Sequence, residues 1–265
     1  MPQPHIVRIP VVPFGIVNCH LVVGEQGCVL VDTGVPGSHS KIERALAALG
    51  RGFKDIRLIV VTHAHMDHAG SAARVRELSG APIVAHEGDL PYYQQRKPMT
   101  YCATGWVSRL FFRTGVIVRP YQPFTPDILL ADGQVLDLAP YGIDGRARPT
   151  PGHTAGSVSL VLDSGDAMVG DLLASGVLLG GLMRTRHARR PPFEDDPKTV
   201  SLQLQELVAG GMQTFHLGHG GPLPAKEVLR HAGWLSRQRP GRVYHGPAAC
   251  RCAPRADEAA GPLRP

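Results

Sequence analysis

Directly after the apolar run 56–61 the chain reads Thr62-His63-Ala64-His65-Met66-Asp67-His68, three imidazoles and one carboxylate within six positions. No other stretch limits the fold as strongly. The run before it is short, β-branched and bounded by polar residues, which predicts a buried strand. Residues 69–78 have helical composition and end at Ser79-Gly80, which predicts a helix with a glycine stop. The H-x-H-x-D-H motif therefore falls in a strand-to-helix turn. His63 and His65, two apart on extended chain, project to one side. Asp67 and His68 follow at the helix start and can point to a neighbouring position, so one loop can feed two adjacent metal ions. A polar loop whose four groups only bond each other would leave this density of ligand types unused.

Two ions need more ligands than one loop offers. Isolated His and Asp residues follow predicted strands at three further places: Pro151-Gly152-His153-Thr154 before the alternating stretch 157–162, Val169-Gly170-Asp171 after an apolar run, and Leu217-Gly218-His219-Gly220-Gly221. In each a glycine lets the backbone turn sharply, so the next side chain can enter a cleft. Four such loops would converge on one edge of a sheet.

His63-x-His65-x-Asp67-His68, followed in order by His153, Asp171 and His219, resembles the metallo-β-lactamase superfamily, and the resemblance runs from about residue 7 to 234. It implies an α/β fold, a four-layer αβ/βα sandwich. It implies two divalent ions: His63, His65 and His153 for the first, Asp67, His68 and His219 for the second, and Asp171 bridging. Val31-Asp32-Thr33-Gly34 matches the family's Asp-Thr-Gly, which makes Asp32 a residue that orients the ligand loops. Imidazole and carboxylate ligands without thiolate suit Zn²⁺, with Fe or Mn compatible. Two such ions bring four positive charges, and two carboxylates with one hydroxide return three. Coordination lowers the pKa of bound water to about 7, so a bridging hydroxide can serve as nucleophile without Ser or Cys. Asp67 is then the expected catalytic residue that passes a proton to the leaving group.

The 265 residues, 43% hydrophobic and 19% charged, fit one domain over 1–236 with a full core. A net charge of +6 from scattered arginines is no nucleic-acid footprint. No apolar run approaches the roughly 20 residues needed to span a membrane. The first residues lack the basic and apolar regions of a leader, so a cytoplasmic protein acting on a small molecule is expected. Five cysteines argue against a disulfide framework. Cys19 and Cys28 read as small core residues, and Cys250-x-Cys252 has no partner ligands nearby in the sequence. Beyond about residue 237 the Pro/Ala/Arg-rich chain is predicted to be disordered through 265.

Residues 87–126 break the strand-helix rhythm and carry more than half of the chain's aromatics. They read either as core-filling linker or as a cap whose side chains, Trp106 and Phe111 among them, wall the substrate cleft. The basic loop Arg184-Thr185-Arg186-His187-Ala188-Arg189-Arg190 lies between two ligand loops. Arg184 and Arg186 could clamp an anionic substrate there, or the run is a solvated surface. His86, at a strand end, is a neighbour of the site rather than a ligand.

The expected activity is hydrolysis of an ester, lactone or thioester. By the resemblance, antibiotic-hydrolysing members usually lack an equivalent of Asp171, which turns the reading away from β-lactams. An iron-dependent sulfur dioxygenase shares these ligand types, and a metal-binding scaffold without turnover is the non-enzymatic alternative. Intact Asp67 and Asp171 speak against the scaffold.

Overall fold

Alternation along single strands decides how the layers stack. In the strand Gly27–Val31, Cys28 and Leu30 enter one core while Val29 and Val31 enter another, and all four are buried. In Ile56–Val60, Ile56 and Ile59 join the first core, and Leu58 and Val60 the second. A strand covered on both faces has little polar surface to show, which is why these segments read as apolar runs, interrupted only by the exposed Arg57 near the start of the second.

The computed structural model describes residues 5–177 and 183–247. Its first half runs β1 (His5–Val12), β2 (Val17–Gly24), β3 (Gly27–Val31), α1 (His39–Ala48), β4 (Ile56–Val60), α2 (Met66–Ala69), α3 (Ala72–Ser79), β5 (Ile83–His86), α4 (Leu90–Tyr93), β6 (Thr100–Ala103), α5 (Trp106–Arg113) and β7 (Ile128–Leu130). The second half runs β8 (Leu136–Asp137), β9 (Gly145–Pro149), β10 (Val158–Leu162), β11 (Asp166–Met168), β12 (Ala174–Ser175), β13 (Ala188–Arg189), α6 (Pro197–Ala209), β14 (Thr214–His216), β15 (Leu223–Pro224), α7 (Ala225–Leu235) and β16 (Arg242–His245). Two six-stranded sheets result, ordered β1-β2-β3-β4-β5-β7 and β15-β14-β11-β10-β9-β8.

Three cores separate four layers. Ile42 and Leu46 of α1 and Ala72 and Val75 of α3 pack on the outer face of the first sheet. Val29, Leu58 and Val84 meet Ala147, Leu160 and Met168 between the sheets. Val200 and Leu204 of α6 and Val228 and Ala232 of α7 cover the second sheet. The fold is the expected αβ/βα sandwich. No helix among the described residues is long and apolar enough to cross a membrane.

Two expectations are corrected. The helix predicted over 69–78 is broken into α2 and α3 at Gly70-Ser71. Gly70 lies so close to the Met66 and Gly34 carbonyl oxygens that a Cβ would collide with both. Within the chain beyond 237, expected to be disordered through 265, residues Arg242–His245 form β16, which pairs antiparallel with β6 from Arg242 opposite Ala103 to His245 opposite Thr100; residues 248–265 lie outside the described residues. Main-chain hydrogen bonds to the insert's open edge hold β16, and composition carries no trace of them. Cys250 and Cys252 lie outside the described residues.

Candidate metal centre

The ligand loops leave the sheets at one end. His63 and His65 sit in the turn between β4 and α2, and Asp67 and His68 on α2 itself. His153 precedes β10, Asp171 follows β11 and His219 follows β14. All seven side chains meet. His63, His65, His68, His153, Asp171 and His219 are buried, and Asp67 is partly open to the cleft. Gly218 is required here, because a Cβ at that position would run into the His68 ring and the Asp171 carboxylate.

His63 Nε2, His65 Nδ1 and His153 Nε2 form a triangle with sides of 3.0, 3.1 and 3.1 Å. A triangle that small admits a point about 2.0–2.1 Å from every corner, the ordinary Zn–N length. Asp67 Oδ2 lies 4.0 Å from His68 Nε2 and 3.5 Å from His219 Nε2, giving a second group of three. The Asp171 carboxylate stands between the groups. Its Oδ1 is 3.3 Å from His68 Nε2, and its Oδ2 is 3.0 Å from His219 Nε2 and 3.9 Å from His153 Nε2.

The donor set fits divalent cations. Asp67 Oδ1, His68 Nε2 and Asp171 Oδ1 are buried and lack hydrogen-bond partners among the described residues. Three orphaned polar atoms in one spot are costly unless something else satisfies them. Burial pushes His63 and His153 well below the usual imidazole range and His65 down to about 4, so these rings are neutral and ready as ligands. For His68 burial acts the same way, but Asp171, Asp32 and Asp67 outweigh it and raise the ring well above its ordinary value. Burial likewise opposes the charge on Asp171, yet His219 and His68 hold its carboxyl well below the carboxylate range. A cation entering this second group competes with protons.

Outer contacts hold the ligands still. Asp32, at φ 61°, accepts from the Thr62 amide at 2.8 Å and the Thr62 hydroxyl at 2.9 Å, and its Oδ2 lies 2.8 Å from His68 Nδ1. One carboxylate thus holds both the motif loop and the His68 ring. His219 Nδ1 contacts the Ile16 carbonyl, and Tyr101 stacks on the His65 ring at 5.1 Å and 14°. Sequence reasoning missed Asp89. This fully buried carboxylate accepts from the Ala64 amide at 2.9 Å, the Thr154 hydroxyl at 2.9 Å and the Gly156 amide at 3.1 Å. It ties the His63–His65 loop to the His153 loop. Its setting, Glu87-Gly88-Asp89, looks like any polar turn. His86 stays outside the ligand groups and lies 3.4 Å from Asp132.

A cleft of about 180 Å³ opens over the ligands. Its floor includes His65, Asp67, His153, Asp171 and His219, and its walls are Val12, Ile16, Val17, Val35, Phe111, Val116, Ile117 and Phe193, with Met66 and Pro192. The insert therefore does both things proposed for it. Phe111, Val116 and Ile117 wall the cleft, while Tyr93 and Phe124 fill the first core. Phe193 was not foreseen; it packs with Tyr101 and Phe111. Trp106 is corrected. It is 74% exposed and borders no part of the cleft, because it shares the outer face of α5 with Val107 and Leu110. Arg184 and Arg186 are corrected too. The β12–β13 hairpin carries the basic loop toward α7, anchored by the Ala188 amide on Glu227 at 2.7 Å, so neither arginine borders the metal cleft.

A family model described as the metallo-beta-lactamase superfamily matches residues 12–179. The probable metallo-hydrolase YflN of Bacillus subtilis is 28% identical over 212 residues, 75% of this chain and 77% of the relative. The probable metallo-hydrolase MJ0888 of Methanocaldococcus jannaschii is 28% identical over 161 residues, 60% of this chain and 69% of its own length. The crystal structure of the metallo-beta-lactamase family protein TTHA1429 from Thermus thermophilus superposes with a TM-score of 0.61 at 25% identity, covering 89% of this chain and 79% of that one. The family model spans the motif from His63 to Asp171, the layered sandwich carries His219 in as well, and the chain belongs to the metallo-beta-lactamase superfamily.

Proposed function

We propose that this metallo-hydrolase relative works with two divalent ions, Zn²⁺ foremost, and cleaves an ester, lactone or thioester whose acyl part carries an apolar arm. The observation that carries the reading is Asp171, whose two oxygens reach ligands of both groups, beneath a cleft walled by valine, isoleucine and phenylalanine. His63, His65 and His153 hold one ion, Asp67, His68 and His219 the other, and Asp171 is shared. When bound, such ions supply a nucleophile from water at neutral pH and polarise a carbonyl oxygen.

The chain's own residues supply the rest. Asp32 and Asp89 fix the ligand loops, so little rearrangement is left for the moment of reaction. Asp67 faces the cleft with Oδ1 free of hydrogen bonds, where it can carry a proton to a departing alkoxide or thiolate. Phe111, Ile117 and Phe193 exclude water and strengthen electrostatics at the floor. They also select the arm, at about 0.8 kcal/mol per buried methylene.

The test is a substrate panel on zinc-reconstituted protein: acyl lactones of increasing chain length, thioesters, a β-lactam and a phosphodiester. Lactone or thioester turnover that rises with chain length is the expected result. Turnover confined to the β-lactam or the phosphodiester, or a flat chain-length dependence, would overturn it.

A further inference from the structure

The basic loop, readable from sequence as a solvated surface or as an anion clamp, borders a second cleft, of about 420 Å³, which shares no residue with the metal cleft. One side is the β13 hairpin strand and its flanks, bringing Arg184, Arg189 and Arg190. The other is α7, bringing Arg230, His231 and Trp234.

The charges here do not balance. Two carboxylates reach these groups: Glu227 is fully engaged, and Glu194 meets Arg190 through Oε1 while its Oε2 is buried without a partner among the described residues. Glu227 accepts from Arg230 Nη2 at 2.7 Å and Nε at 2.8 Å and from the Ala188 amide at 2.7 Å, and it lies 3.2 Å from His187 Nδ1. Glu194 is fully buried against Arg190 Nε at 2.5 Å. Four guanidinium groups against two carboxylates leave two positive charges over. The Arg184 and Arg189 side chains form no ion pair or hydrogen bond among the described residues. Deeper in, Arg190 Nη2 and His231 Nε2 are buried without partners, and His231 is only 2% exposed. A solvated charge run would not bury unpartnered polar nitrogens beside its exposed arginines. Trp234, 39% exposed with its ring centroid 5.4 Å from that of His231, adds a flat apolar surface at the rim.

Several guanidinium forks matched to one doubly charged group are what phosphate recognition uses, since each fork can take two oxygens. A phosphate ester carries about −1.5 to −2 charge at neutral pH, matching the excess. We propose that the cleft between β13 and α7 binds a nucleoside phosphate, with Arg184 and Arg189 on the phosphate, Arg190 beside them and Trp234 under the base. The inference is independent of the hydrolase reading, because no group in this cleft is a metal ligand.

The chain has two tryptophans, so Trp106→Phe leaves Trp234 as the sole fluorescent indole. Metal-loaded Trp106→Phe protein is titrated with ADP, AMP, adenosine and inorganic phosphate, with calorimetry of ADP binding to the unaltered chain as a second readout. ADP should quench saturably, inorganic phosphate should compete with it, and adenosine should not saturate. The further change Arg184→Ala with Arg189→Ala should raise the ADP Kd by about tenfold or more, and added salt should raise it as well. The circular dichroism spectrum and lactone turnover should stay as they are. Absent saturation in both readouts, an unchanged Kd in the arginine variant, adenosine binding as tight as ADP, or tighter binding of an oligonucleotide than of ADP would each overturn the proposal.

Discussion

Removing Asp89 should damage the protein far more than its place in a short polar turn suggests. The carboxylate accepts three hydrogen bonds, from the Ala64 amide, the Thr154 hydroxyl and the Gly156 amide, and it is fully buried. Bonds to a charged acceptor contribute about 1.5–3 kcal/mol each, and donors left unsatisfied cost a comparable amount. Against this stands the cost of burying the charge. Burial pushes the Asp89 carboxyl up, and the three bonds pull it only part of the way back. The net loss for Asp89→Ala should therefore fall below the gross sum, at about 3–5 kcal/mol. Asp89→Asn keeps an oxygen for two of the donors but turns an amide NH₂ toward the third, so it should cost less, about 1–3 kcal/mol. Urea unfolding of metal-free protein measures both. Zinc competition with a chromophoric chelator should show weakened binding as well, since Ala64 lies between two ligands and Thr154 follows a third. A loss below about 1 kcal/mol for Asp89→Ala would refute the reasoning.

Further outcomes follow from the same geometry. Asp67→Asn should lower turnover of alkyl lactones by roughly 10²-fold or more while nitrophenyl esters, with better leaving groups, lose less; equal losses would reduce Asp67 to a ligand only. Phe111→Ala should flatten the chain-length dependence by removing apolar wall, read as kcat/KM across the acyl series. Burial, opposed by Arg190, raises the Glu194 carboxyl from 4.5 to about 7. The folded state then binds the extra proton, so this group's stability contribution is full below about pH 4.5 and is lost as pH rises through 7, on the order of 3 kcal/mol. Glu194→Gln should make the urea midpoint less pH-dependent over that window. Some slope should remain, because burial followed by Asp89 and Asp196 also raises Asp195 to about 7.

What could be read from the sequence was what local chemistry dictates. β3 and β4 are apolar on both faces because each feeds two cores, and such a run is visible without partners. The seven residues of the candidate metal centre are legible because His and Asp next to glycine at strand ends have few other reasons to recur. The alternation over 157–162 marks β10, which runs Val158–Leu162. Long-range decisions were not visible. The partner of β16 is a strand about 140 positions earlier, and Arg242, Val243 and Tyr244 show no pattern that names it. The aromatic content of 87–126 announces apolar surface but not its direction: Phe111 lines the cleft, and Trp106 faces away from it. The basic loop was drawn toward the metals because ligand loops flank it in sequence. A two-residue hairpin pairing, Ala174 with Arg189 and Ser175 with Ala188, sends it elsewhere. Asp89 was invisible for a simpler reason: its three partners come from two other loops.

The central claim is that Asp171 joins two metal groups into one centre. It is tested most directly by metal stoichiometry after zinc reconstitution and desalting, on the native chain and on Asp171→Ala. A shared carboxylate offsets the repulsion of two nearby cations, so its loss weakens both positions at once. The native chain should retain two ions per molecule, and Asp171→Ala should retain fewer than one. One tightly held ion in the native chain, or two in the variant, would contradict the account.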